Sequence, residues 1–117
     1  MLKYGTGRTE LTLDYKYNYS GRDISLVITG GRAHVGAVAV GYYMDGDEGV
    51  TTETIVVPSH KEGTIAGMFA STVAKHMHCT AVCTAGIHLE DITKDEIDAI
   101  NDNAVQLLDA FIRKISQ

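Results

Sequence analysis

The chain has 117 residues, 44% hydrophobic and 21% charged, with ten Lys and Arg against fifteen Asp and Glu for a formal charge of −5. That apolar share is enough for one independently folding domain over residues 1–117 and excludes a disordered or low-complexity chain. The acidic balance repels nucleic-acid backbones and anionic membrane surfaces, residues 1–8 lack the apolar core of a secretory leader, and no apolar run is long enough to span a bilayer. A cytoplasmic protein with neither a nucleic-acid nor a membrane partner is expected.

Leu11, Leu13, Tyr15, Tyr17 and Tyr19 alternate with Thr12, Asp14, Lys16, Asn18 and Ser20, a period of two that predicts a strand with one buried face. The three tyrosines make that face a candidate surface for a homo-oligomer. Ser20-Gly21-Arg22-Asp23 supplies a turn, residues 24–28 (Ile-Ser-Leu-Val-Ile) a second strand, and Gly30-Gly31 its end. Residues 34–43 form a strand of small residues from Gly36 to Gly41, which allows close approach. Asp45-Gly46-Asp47-Glu48-Gly49 reads as a hairpin turn, and residues 52–57 as a fourth strand stopped by Pro58, the one proline.

Beyond residues 58–63 the period changes. Ile65, Phe69, Val73 and Met77 recur at helical spacing, then residues 79–87 return to a strand. Cys79 and Cys83, placed in that one strand, have Cα atoms about 13 Å apart, which excludes a disulfide between them and leaves two core-filling thiols. The last segment carries a helix-start signature: Thr93 as N-cap, Glu96 as its capping-box partner, and Ile92 against Ile97 as a hydrophobic staple. A helix from Lys94 follows, with Ile97, Ile100, Ala104, Leu107, Leu108, Phe111 and Ile115 on its buried face. The order β-β-β-β-α-β-α predicts an α+β two-layer sandwich: a mainly antiparallel sheet, made of a β-meander and one β-α-β crossover, with two helices on one face.

Chain direction then places the chemistry. The strands at 34–43 and 52–57 form a hairpin, so His34 and His60 fall at one end. A helix of about 15 residues returns roughly 22 Å, the length of a seven-residue strand, so the next strand runs parallel to the one at 52–57 and brings His88 to the same rim. Gly30 and Gly31 lie there too.

These three histidines, with Arg32, Lys61 and the paired glycines, can surround either an organic anion or a divalent metal. Acidic ligands are scarce nearby, with only Glu62, Glu90 and Asp91, so an anion is preferred and no metal is expected. Ser59 beside His60 lacks the glycine elbow of a hydrolase nucleophile. His76-Met77-His78-Cys79 looks like a metal tract, but two helical positions two apart point about 200° from each other, which favours a plain helix end. Gly30-Gly31-Arg32 leads into another strand, which excludes a dinucleotide-binding turn, and no Gly-Lys-Ser/Thr follows for a P-loop.

The stretches Thr29-Gly30-Gly31-Arg32-Ala33-His34-Val35-Gly36, Pro58-Ser59-His60-Lys61-Glu62 and Thr84-Ala85-Gly86-Ile87-His88, followed by Ile92-Thr93-Lys94-Asp95-Glu96-Ile97, resemble a family in order and spacing over residues 24–115. It is the prenylated-flavin chaperone family, the small third component that accompanies UbiD-type hydroxyarylic-acid decarboxylases such as gallate decarboxylase. The resemblance implies a proteasome-assembly-chaperone-like fold and a protein that carries prenylated FMN between a flavin prenyltransferase and the decarboxylase with no turnover of its own. For such a cofactor the small-residue strand from Gly36 to Gly41 can face the ring, and Ser59, Lys61 and the amides near Gly63 the phosphate. The candidate cofactor-binding set is therefore Gly30, Gly31, Arg32, His34, Gly36, Ser59, His60, Lys61 and His88. An assembly subunit that never touches flavin, and a metal-dependent enzyme built on the three histidines, are the alternatives.

Overall fold

Alternation and helical spacing translate into elements close to those expected. The computed structural model describes residues 1–18, 23–44, 46 and 49–117; Tyr19, the turn residues Ser20, Gly21 and Arg22, and Asp45, Asp47 and Glu48 lie outside the described residues. In chain order the elements are β1 (Leu2–Tyr4), a short 3-10 turn (Gly7–Thr9), β2 (Leu11–Tyr17), β3 (Ile24–Gly31), β4 (Ala37–Tyr43), β5 (Val50–Val56), α1 (Gly63–Met77), β6 (Ala81–His88) and α2 (Lys94–Ile115). β1 was not expected: three residues are too few to show a period. Among the described residues no helix is long and apolar enough to cross a membrane.

The fold is α+β, one six-stranded sheet in the order β1-β2-β3-β6-β4-β5. Four of its five pairings are antiparallel, and β3 with β6 is the parallel one. The expected meander is interrupted, because β6 inserts between β3 and β4. Since β5 and β6 are both antiparallel to β4, they run the same way, and α1 carries the chain across β4 between them.

Both helices cover the same face. Leu11 and Leu13 on β2, Ile24, Leu26 and Ile28 on β3, Ala81, Cys83 and Ala85 on β6, and Ala37 and Ala39 on β4 join Phe69 of α1 and Phe111 of α2 in one buried cluster. Ala66, Ala70 and Ala74 repeat every four residues along α1, so one side of the helix is bare of bulk. A methyl on Gly41 would overlap the Ala70 backbone, so the small residues of β4 serve the close packing of α1. That packing takes the face of β4 that carries Ala37, Ala39 and Gly41, while Val38 and Val40 alternate to the other face. Of the tyrosines on β2, Tyr15 lies under α2 with its ring centroid 4.9 Å from that of Phe111, while Tyr17 is 40% exposed. The uncovered side of the sheet carries Val27 and Ile55, 40% and 70% exposed.

Cys83 is fully buried, and burial pushes its thiol up to about 12. Cys79 lies two residues ahead of β6 and not within it, and neither thiol is disulfide-bonded. Helix α1 ends at His78 in the left-handed conformation, φ 52°. His76 turns to the Ser116 hydroxyl at 2.9 Å and His78 stacks on Tyr43, so the two do not converge on one ion.

Helix α2 starts as expected. The Glu96 amide donates to Thr93 Oγ1 at 3.1 Å and the Thr93 amide to Glu96 Oε1 at 3.0 Å. The Arg8 guanidinium, carried by the 3-10 turn, also grips the Glu96 carboxylate. That grip, with the Thr93 amide, holds the Glu96 carboxyl down at about 2 against an ordinary 4.5. A carboxyl depressed by folding stabilises the protein above its ordinary value, and the contribution is lost as pH falls from 4.5 towards 2. Arg8→Ala is therefore expected to melt below wild type at neutral pH, with the gap narrowing through that acid window in a low-salt pH series. A gap that stays constant into acid would show that Arg8 acts on something other than Glu96.

Candidate functional site

Three strand ends and a helix start meet at one rim. The His34 ring centroid lies 5.1 Å from that of His60 and 6.2 Å from that of His88, so the histidines converge as chain direction required. Each is placed by backbone. After β3, Arg32 N–H donates to the His88 carbonyl at 3.0 Å and Gly36 N–H to the Ala85 carbonyl at 2.9 Å, which lays residues 32–36 across the end of β6. Only a glycine at position 86 leaves room for that crossing, because a methyl there would overlap the His34 carbonyl. Pro58 and Ser59 form a turn closed by His60 N–H to the Val57 carbonyl at 3.0 Å, with Ser59 at φ 71°. The third residue of such a turn favours glycine, so Ser59 carries backbone strain directly beside the site.

The residue that joins these pieces is Glu62, 7% exposed and the one buried charged side chain among the described residues. Its Oε1 accepts from the Lys61 amide at 3.0 Å, and its Oε2 accepts from the Ile87 amide at 3.2 Å and from His34 Nε2 at 3.0 Å. His34 Nδ1 faces the Arg32 carbonyl at 3.1 Å. Both ring nitrogens of His34 thus face an oxygen, one of the backbone and one of the Glu62 carboxyl group. His60 Nδ1 donates to the Pro58 carbonyl at 2.9 Å, which leaves Nε2 as its lone-pair nitrogen. His88 Nε2 lies 3.3 Å from Glu90, whose carboxylate also meets Arg32 at 3.5 Å on the exposed surface.

The three histidines line a cavity of about 510 Å³. Its lining joins an apolar set, Ile65, Ile87, Leu89, Ile92, Ile97 and Ile100, to a polar set, His34, Ser59, His60, Lys61, Glu62, His88 and Asn101. His60 and Lys61 also border a shallower groove of about 420 Å³ at Gly63 and Thr64. There the first turn of α1 presents amides that a helix leaves without internal acceptors.

Of the nine residues singled out from sequence, His34, Ser59, His60, Lys61 and His88 line the cavity. Gly30, Gly31, Arg32 and Gly36 do not. Gly30 lies under Leu11, Gly31 turns at φ 62° against the His88 carbonyl, Gly36 lies against the Glu62 carboxylate, and Arg32 points outward to Glu90. Sequence reasoning missed the apolar lining and the part played by Glu62. The expected staple pair, Ile92 and Ile97, was the available signal for that lining, since both are partly exposed and face the cavity.

A family model described as the prenylated flavin chaperone LpdD-like domain matches residues 6–116. The chain belongs to that family. The match begins before β2 and ends past α2, so every element that builds the rim lies within this LpdD-like domain. Membership supports a prenylated-flavin chaperone role. No curated protein matches the chain.

Proposed function

We propose that this LpdD-like domain binds prenylated FMN at the three-histidine rim, receives it from a flavin prenyltransferase and passes it to a UbiD-type aromatic-acid decarboxylase, with no turnover of its own. The observation that carries the reading is the mixed lining of the cavity and of the groove that shares His60 and Lys61 with it. A prenylated flavin is a broad apolar ring system with an anionic tail. The apolar side chains of the cavity suit the rings, while Lys61 and, in the adjoining groove, the first-turn amides of α1 at Gly63 and Thr64 suit the phosphate. His34, His60 and His88 line the same cavity. Gly30, Gly31 and Gly36 contribute by letting the surrounding chain close in, and Arg32 by its place beside Glu90. Self-association belongs to the same reading through the uncovered sheet face around Val27 and Ile55, and the protein acts in the cytoplasm.

Co-expression with a flavin prenyltransferase is expected to yield a coloured protein with a flavin absorption spectrum. Lys61→Ala and His60→Ala, both outside the buried core, are expected to keep the fold and weaken cofactor binding about tenfold each, the loss of one charge-assisted or strong polar contact. A colourless protein that still binds the decarboxylase would overturn the cofactor role and leave an assembly subunit. Unchanged affinity in both variants would move the phosphate elsewhere.

A further inference from the structure

We propose that His34, His60 and Glu62 form a binding site for one first-row divalent transition-metal ion. One donor atom from each residue lies within 4.8 Å of the others. Proximity alone is common; the orientation of the rings is the second, independent observation. Both histidines engage Nδ1 with a backbone carbonyl two residues earlier, His34 with Arg32 at 3.1 Å and His60 with Pro58 at 2.9 Å. That outer bond fixes the ring and commits Nε2 to ligation, as in most metal-binding histidines.

The third donor is equally prepared. Glu62 is buried, and the amides of Lys61 and Ile87 hold its carboxylate in place. Its Oε2 is 3.0 Å from His34 Nε2. Two ligand atoms each about 2.1 Å from an ion, and at right angles about it, are about 3 Å apart, so this pair already has the spacing of neighbouring ligands. The proton that the His34 to Glu62 contact carries is what the cation displaces. Two imidazoles and one carboxylate are the donor set of zinc, cobalt and ferrous sites, and three protein ligands leave at least one coordination position for a ligand from the cavity. The sequence argued against a metal because carboxylates are scarce near the histidines, yet one buried carboxylate completes this set.

The site stands apart from the flavin reading, because the ion is tested alone on flavin-free protein. After chelator treatment the full chain is titrated with Co²⁺, followed by visible absorption and calorimetry, then with Zn²⁺ in competition. The expected result is saturation at one Co²⁺ per chain, with bands that Zn²⁺ bleaches. His60→Ala, whose ring bonds only the Pro58 carbonyl, is expected to weaken binding at least about 100-fold with an unchanged circular dichroism spectrum and melt in chelator. Glu62→Gln, which keeps an amide oxygen for the backbone donors, serves as the second variant and is expected to weaken it as far. His76→Ala, at the other end of α1, is expected to bind as wild type. No saturable uptake, equal affinity in His60→Ala and Glu62→Gln, or loss of binding in His76→Ala would each overturn the proposal.

Discussion

Gly86→Ala is expected to destabilise the protein by about 3 kcal/mol, the upper end of the cost of overpacking a filled interior, and to lower its melting temperature by roughly 12 °C. The added methyl would overlap the carbonyl oxygen, carbonyl carbon and Cα of His34. These are backbone atoms, so no rotamer change relieves the overlap. Residues 32–36 must lift off the end of β6, which breaks the Gly36 to Ala85 and Arg32 to His88 hydrogen bonds. His34 then leaves Glu62 and His60, so cofactor binding is expected to fall with stability. Gly49→Ala is the control, because a methyl there meets nothing within 4 Å. Thermal melts of the two variants, read beside flavin binding, check the claim. Equal melting temperatures would mean that the crossing of residues 32–36 over β6 is looser than described.

Glu62→Leu is expected to cost about 2 kcal/mol, or roughly 8 °C in the melt, although leucine fills a similar volume. The substitution removes the acceptor from the Lys61 amide, the Ile87 amide and His34 Nε2 together. Lys61 is exposed and His34 partly so, and both can turn to water; the Ile87 amide, beside the cavity, is the donor whose loss counts in full. Glu62→Gln keeps one oxygen for that amide and is expected to lose less than half as much. Denaturant melts at neutral pH separate the two. If Leu and Gln cost the same, the carboxylate is not what joins α1 to β6.

Much of this protein was legible in the sequence because the information is local. Alternation from Leu11 to Tyr17 requires only neighbours along one strand, and the capping box of Thr93 and Glu96 closes within a single helical turn. Even the convergence of His34, His60 and His88 follows from counting direction along a hairpin and a crossover, because strand and helix have fixed rises per residue. Strand order was decided elsewhere. A period of two looks the same whichever strand lies alongside, so nothing in β3 or β4 announced that β6 would enter between them. The same limit holds on β2: periodicity says that Tyr15 and Leu13 share a side, and only the docking of Phe111 says that Tyr15 is covered there. Glu62 reads as one more acid in a polar loop until β6 delivers the Ile87 amide and the chain after β3 delivers His34 to its carboxylate. Those donors lie 25 and 28 residues away in sequence. A buried charge is tolerated only where distant backbone and side-chain donors surround it, so its position had to come from the tertiary structure.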